Sequence, residues 1–334
     1  MFATCLAVPA AASASGDSSI FYYPWWGTKQ QDGRYLHWNQ RGHAPPSDLA
    51  TTYFPARGVY SSSDVRVLRA QMQEIKAAGI TEVVSSWWGW GSAEDLRLPQ
   101  VLREAKARGL KVAVQIEPYE SWKRTPATLA TDLVQLQNAG ITRAYVYRPF
   151  DDLLDVADWA KLNRDAPTIE ILAQTTNVTR AAAAGFDGVY TYDVFAVRGG
   201  AFAGLCNRAH ALGLTCAPSV GPGYNAQRAT GDERVRTRRQ GATYDGMWRA
   251  AIAAAPDRVT ITSYNEWHEG TQIEPARRHP PDWYGEYKSY EGAYGREGAS
   301  AESAYIDRTT YWTNVYRVAA AVTRVLRALA DITL

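Results

Sequence analysis

Two glutamates three positions apart set the chemistry this chain could perform. Glu266 and Glu269 stand in the stretch Thr260–Glu274, T-I-T-S-Y-N-E-W-H-E-G-T-Q-I-E. The stretch opens as a strand, with Val259, Ile261 and Ser263 alternating with Thr260 and Thr262. It then turns polar, aromatic and doubly acidic through Asn265, Glu266, Trp267, His268, Glu269 and Gly270. A hydrophobic core has no use for such a segment. Paired carboxylates flanking one bond can act as proton donor and as base or nucleophile, which is the equipment of glycoside hydrolysis. An E-x-x-E pair also occurs on ordinary solvated loops, so the elements that hold the pair have to decide.

Those elements alternate along the whole chain. A short β-prone run within Ser19–Gly27 comes first, ended by Pro and Gly. Further strands are predicted over Glu82–Trp88, Leu110–Ile116, Arg143–Tyr147, Thr168–Ala173, Gly188–Val194, Thr215–Val220 and Arg258–Ser263. Helices are predicted over Ser63–Ala78, Ala93–Arg108, Pro126–Ala139, Leu153–Asn163, Val178–Ala184, Ala201–Leu212, Thr243–Ala255 and about Ala301–Leu329, several of them followed by Gly. Eight strand–helix pairs imply a parallel sheet, and in a chain of 334 residues they fit a single α/β domain, a (β/α)8 TIM barrel with long loops. A doubly wound sheet is the alternative, but no G-x-G-x-x-G follows the first strand. In a barrel the active site lies on the loops after the strand C-termini. The unusual residues fall there: Tyr23-Pro24-Trp25-Trp26 after the first strand, Trp87-Trp88-Gly89-Trp90 after the second, and Glu117-Pro118-Tyr119 after the third. Gly221-Pro222-Gly223-Tyr224 follows the seventh, and the glutamate pair follows the eighth.

Composition narrows the partner. With 36 basic and 34 acidic residues, the charge balance offers no footing for nucleic acid or an anionic membrane. The aromatic content is skewed, with 12 Trp and 20 Tyr against 7 Phe. Trp and Tyr join a flat apolar face to a polar handle, which suits the C–H faces and hydroxyl edges of sugars, although many such rings must also be core. Met1–Ala14 is apolar and small, with an A-x-A cleavage pattern at Ala12–Ala14 but no basic n-region, so residues 1–14 read as a signal remnant and 15–334 as the catalytic domain. No other run is long and apolar enough to span a bilayer. Beyond Cys5 there are Cys206 and Cys216, which could form a disulfide in an exported protein or remain two buried thiols. With no CxxC and no His/Cys cluster, no zinc site is expected.

Taken together, these stretches resemble glycoside hydrolase family 99, the endo-α-mannosidase and endo-α-mannanase family. The matching pieces are F-Y-Y-P-W-W-G at Phe21–Gly27, Y-L-H-W at Tyr35–Trp38, S-S-W-W-G at Ser85–Gly89 and I-E-P-Y at Ile116–Tyr119. P-S-V-G-P-G-Y at Pro218–Tyr224 and T-S-Y-N-E-W-H-E-G-T-Q-I-E at Thr262–Glu274 complete the set. The resemblance implies a retaining endo-hydrolase of α-mannosides that uses neither metal nor cofactor. It implies that Glu266 assists the substrate 2-hydroxyl, which attacks C1 to give a 1,2-anhydro sugar. Glu269 would be the general acid for the departing oxygen and then the base for water. Glu117 would be a third carboxylate contacting the sugar. Tyr23, Trp87 and Tyr224 would line the subsite where cleavage occurs, and His37 and Trp38 would belong to a loop that closes over it. Tyr119, Asn265 and Trp267 stand within the matching motifs and complete the expected substrate-binding set.

Three stretches depart from the family pattern: Gln115 replaces a usual His, Tyr147-Arg148-Pro149-Phe150 follows the fourth strand, and Asp193-Val194-Phe195-Ala196 follows the sixth. Arg148 could face the cleft and favour an acidic substituent, or pair with Asp151 or Asp152. The segment Arg277–Ser300 carries no family pattern and reads as either a substrate-facing loop or a surface insertion. His210 and His279 read as surface and loop residues without a role. The remaining alternatives are a non-catalytic carbohydrate-binding protein and a barrel glycosidase acting on another α-glycan. The expected state is an exported or cell-envelope monomer whose partner is an α-mannoside glycan.

Overall fold

The computed structural model describes residues 16–119, 124–151, 154–165, 168–278 and 287–332. The signal-like residues 1–14, along with Asp152, His279, Trp283 and Tyr284, lie outside them. The strands are β1 (Ser18–Tyr22), β2 (Glu82–Trp87), β3 (Lys111–Ile116), β4 (Arg143–Val146), β5 (Glu170–Gln174) and β6 (Gly188–Tyr190). They continue with β7 (Thr215–Ala217), β8 (Ser219–Val220), a small antiparallel ribbon of β9 (Tyr224–Asn225) and β10 (Val235–Arg236), and β11 (Val259–Ile261). The parallel sheet runs β7-β6-β5-β4-β3-β2-β1-β11-β8. Its two ends are halves of one strand: only Pro218, which has no N–H for a ladder, separates β7 from β8. The first half pairs with β6 and the second with β11, so the sheet closes on itself as an eight-stranded barrel.

The helices form where the local signals put them. Asp64 caps the helix Val65–Ala77 by accepting from the Arg66 amide. That helix turns Leu68, Gln71, Met72 and Ile75 inward at helical spacing, each apolar side chain contributing roughly 1.5–3 kcal/mol by burial. It stops before Gly79, whose φ of 75° and close approach to Thr313 leave no room for a Cβ. The helix Pro126–Asn138 starts with a capping box at Thr125 and Thr128. The chain ends in the long helix Ala304–Ile332. No described helix is long and apolar enough to cross a membrane.

Two expected strands are shorter than their sequence suggests. The sixth ends at Tyr190 rather than Val194, because Tyr192 takes a left-handed φ of 46° that no strand continues. The eighth ends at Ile261, after which Ser263 turns to exchange backbone bonds with Thr271 and Ile273. The barrel interior holds Phe21, Tyr145 and Tyr190 edge to face or tilted, with ring centroids 5.1–5.7 Å apart. At the N-terminal end, buried Glu82 accepts from Ser19 at 2.7 Å and pairs with Arg143 and Arg258.

Cys206, on the helix Phe202–Ala211, is bonded to Cys216 in β7. The link closes a short loop of sequence separation 10, for which the chain-entropy argument gives about 3 kcal/mol. Cys206→Ser is expected to lower the melting temperature by several degrees without changing kcat. A melt unchanged between oxidising and reducing buffer would show that the bond carries no stability.

Candidate active site

The loop after β11 is pinned so that its acids face one way and its other side chains another. The Asn265 side chain accepts from the Tyr23 amide at 2.7 Å and donates to the Tyr23 carbonyl at 3.0 Å, clamping the loop to the end of β1. Trp267 is fully buried, and its indole donates to Glu274 at 2.9 Å and to the Tyr60 hydroxyl at 3.1 Å. Glu266 and Glu269 are left at the mouth of the barrel. Gly270, at φ 62°, turns the chain against Asn225, whose amide donates to the Glu269 carbonyl at 2.7 Å. The ribbon β9–β10 thereby becomes a wall of the same cleft.

Three carboxylates meet there, each shifted by its neighbours. Burial pushes Glu117 up to about 8, opposed by the Ser86 hydroxyl at 2.8 Å and reinforced by Glu269. Burial also pushes Glu269 up to about 7, with Asp193 adding to the rise and the Tyr192 hydroxyl, 3.4 Å away, opposing it. Glu266 is raised well above the ordinary carboxylate range by burial and by Glu269. Glu266 alone of the two has backbone amides supporting its charge, from His268 at 3.0 Å and from Glu269. The two backbone amides favour the ionised form of Glu266 against the rise that burial and Glu269 impose, and the two carboxyls titrate as a pair.

Aromatic residues wall the site. The Tyr23 and Tyr192 hydroxyls share a short hydrogen bond, and Tyr192 also reaches Glu269. Both phenols are raised well above 10 by burial and the surrounding acids, so they stay neutral donors. His37 stacks on Trp25 with centroids 4.6 Å apart, and its carbonyl accepts from His268 Nε2 at 2.8 Å. That bond fixes the His268 tautomer. Burial holds His37 near 3 and His268 near 4, so neither carries charge at neutral pH.

The sequence profile of glycosyl hydrolase family 99 matches residues 16–148 and 158–318. This chain belongs to family 99. A glycoprotein endo-alpha-1,2-mannosidase-like protein of Danio rerio is 33% identical over 318 residues, covering 78% of this chain and 71% of that protein. Its Homo sapiens counterpart is 31% identical over 355 residues, covering 89% and 75%. The solved family-99 endo-alpha-mannosidase of Bacteroides thetaiotaomicron superposes with a TM-score of 0.81 at 28% identity, covering 91% of this chain and 98% of that one. The protein is a glycoside hydrolase on a (β/α)8 barrel.

Within this family-99 barrel the other expected residues divide by what they touch. Tyr23, His37, Glu117, Tyr224, Glu266 and Glu269 stand at the C-terminal mouth. Trp38 is fully buried, packed on Trp26 at 3.9 Å with its indole donating to the Tyr60 carbonyl. Trp38 and Trp267 thus brace the site from beneath. Trp87 and Tyr119 are also buried, meeting edge to face at 5.8 Å, with Trp87 donating to Asp95 and Tyr119 to Asp132. Tyr224 is half-buried and donates to Asp232 at 2.8 Å. Gln115 lies two residues before Glu117 in β3, buried, and its side-chain oxygen has no partner among the described residues. Arg148 is exposed and pairs with Asp151 at 2.7 Å, while also lining a cavity of about 510 Å3 with Tyr147, Asp193 and Arg234.

Two features escaped the sequence reading. Tyr192, next to Glu269, follows the sixth strand in Thr191-Tyr192-Asp193, and its only sequence signal is that position at a strand end. The described part of Arg277–Ser300 faces neither substrate nor solvent as a unit. Tyr290 is buried and, with Tyr53 and Tyr305, surrounds the Arg238 guanidinium at 4.5–4.7 Å. Stacking on a weakly hydrated guanidinium anchors that segment.

Proposed function

We propose that this protein is a retaining endo-α-mannosidase acting on mannan or mannose-rich glycans. The observation that carries the proposal is the environment of the pair: Glu266 accepts backbone amides while Glu269, beside Tyr192, is pushed to about 7. The names of its relatives support α-mannoside as the substrate class. In the first step Glu266 takes the 2-hydroxyl proton, O2 attacks C1, and Glu269 protonates the departing glycosidic oxygen. In the second, Glu269 takes a proton from water, the water oxygen attacks C1, and the anhydro ring opens as Glu266 returns its proton to O2. Two inversions at C1 give net retention. Glu117, Tyr23 and Tyr224 hold the sugar. Incubation with α-1,2-branched mannan and with high-mannose oligosaccharides, followed by mass spectrometry, tests the reading. Released oligosaccharides support it; cleavage of a different α-glycan with both mannosides untouched overturns it.

The pH profile follows from the two roles. Glu269 must hold its proton to act as acid, and its carboxyl titrates near 7. Glu266 must lose its proton to act as base. The profile of kcat/KM is therefore expected to be a bell whose apparent pKa values belong to the pair, falling toward tenfold per unit above about pH 7. A profile flat from pH 6 to 9 would remove Glu269 from the acid role.

We further infer export, supported by the A-x-A pattern of residues 12–14 and the Cys206–Cys216 bond, and propose that the protein is a monomer. Fractionation of the host culture and light scattering of the purified protein test both points.

A further inference from the structure

At the root of the β9–β10 ribbon lies a cavity of about 470 Å3 that none of the three carboxylates lines. Arg198 reaches it from the loop after β6, and Arg236 and Arg239 reach it from the segment entering the helix Ala242–Ala253. No Asp or Glu lines it. Nearby arginines do pair with acids: Arg234 with Asp232 at 2.6 Å and Arg308 with Asp245 at 2.6 Å. Among the described residues, Arg198, Arg236 and Arg239 have no carboxylate within 4 Å, and Arg236 is held only by a bond from Nη1 to the Val194 carbonyl. Arg236 is half-buried, and burial followed by the charge of Arg198 holds its pKa below the usual guanidinium value. Three like charges around one hollow repel each other until an anion enters.

The rest of the lining suits the same guest. The helix Ala242–Ala253 starts at Gly241 without a side-chain cap; the Ala242 and Thr243 amides donate to the Arg239 and Arg238 carbonyls, so the helix lends the cavity the positive end of its dipole rather than free donors. Gly200 and Gly246 also border it, and a Cβ at either would meet nothing within 4 Å, which leaves bare backbone open to a ligand.

We propose that this cavity is a binding site for a phosphate group, free or esterified to a sugar. Guanidinium forks grip phosphate oxygens in pairs, which favours phosphate over a single carboxylate. A volume of about 470 Å3 lies in the range of small-molecule sites, roughly 300–1,000 Å3, with room for a sugar behind the phosphate. Arg236 also stands opposite Tyr224 in the ribbon register, one side-chain row from the cleft wall.

The test is calorimetric titration of the intact protein at fixed ionic strength with inorganic phosphate, mannose 6-phosphate and mannose. Both phosphate probes are expected to bind wild type, and Arg198→Gln to weaken them about tenfold or more, the size of one charge-assisted hydrogen bond. Arg198 makes no bond that the fold needs, and Arg239→Gln is a second such variant. Glu269→Gln is expected to bind both probes as wild type does, which separates this site from the catalytic one. Tighter binding of mannose 6-phosphate assigns the site to a phosphorylated glycan, and equal binding assigns it to the free ion. The proposal is overturned if neither phosphate probe binds more tightly than chloride or mannose, or if Arg198→Gln and Arg239→Gln both bind as wild type.

Discussion

Glu269→Gln is expected to lower kcat on a natural glycan by about 10²–10⁴-fold, the usual worth of a positioned proton donor. The amide keeps the shape of the side chain and an oxygen for Tyr192, so substrate binding should change little. What it loses is the proton that Glu269, pushed up to about 7, would hold for the departing oxygen in the proposed mechanism. The loss should therefore depend on the leaving group. An activated aryl leaving group departs without protonation, so the first chemical step should recover much of its rate in the variant. Glu266→Gln should behave otherwise: the 2-hydroxyl must be deprotonated whatever leaves, so both substrates should suffer alike. Rates of aryl and sugar release for the two variants decide the matter. Equal losses on both substrates for Glu269→Gln, or an active Glu266→Gln, would reverse or remove the assigned roles.

Much of the barrel was legible because its strand–helix alternation is written as hydrophobic period and punctuation. The helix Val65–Ala77 lies inside the predicted Ser63–Ala78, and the helix Ala93–Lys106 starts at the predicted residue. Closure was expected from the count of eight strand–helix pairs, and the strand over Thr215–Val220 was expected; what was not legible is that its two halves pair with different neighbours on either side of Pro218. Position after a strand predicted which residues gather at the mouth, but not how deep each ring sits. Trp26, Trp38, Trp87 and Trp267 belong to the same aromatic motifs and are fully buried, whereas Trp90 beside Trp87 and Trp88 is exposed. A large ring gains most free energy by leaving water, and its N–H then usually finds a partner, Tyr60 for Trp38 and Glu274 for Trp267, although that of Trp26 has none among the described residues. Tyr192 was missed for the opposite reason. Its place beside Glu269 comes from a left-handed turn, and a tyrosine there carries no local sign of it.

Glu274→Ala is expected to cost about 3–5 kcal/mol of stability, although Glu274 does no chemistry in the scheme above. Its side chain is fully buried and accepts four hydrogen bonds: from Arg57 at 3.0 Å and Gln71 at 2.9 Å on one oxygen, from Tyr60 at 2.8 Å and Trp267 at 2.9 Å on the other. Burial pushes its carboxyl upward, while Arg57, Gln71 and Tyr60 pull it back. Removing it leaves four donors facing a hole, one of them a guanidinium, and each unsatisfied buried donor costs about 1–3 kcal/mol or more. Two of those donors, Tyr60 and Trp267, carry the loop on which Glu266 and Glu269 sit, and Tyr60 also accepts from Asn265 at 3.4 Å. The melting temperature should fall by an amount on the order of 10 °C, and kcat should fall with it as the acid pair loses its register. Glu269→Gln, by contrast, should melt within a degree or two of wild type, so circular dichroism melts of both variants separate the support from the chemistry. If Glu274→Ala melts like wild type and retains full kcat, the Asn265–Glu274 loop is held by β1 and the ribbon alone, and the buried carboxylate is not its anchor.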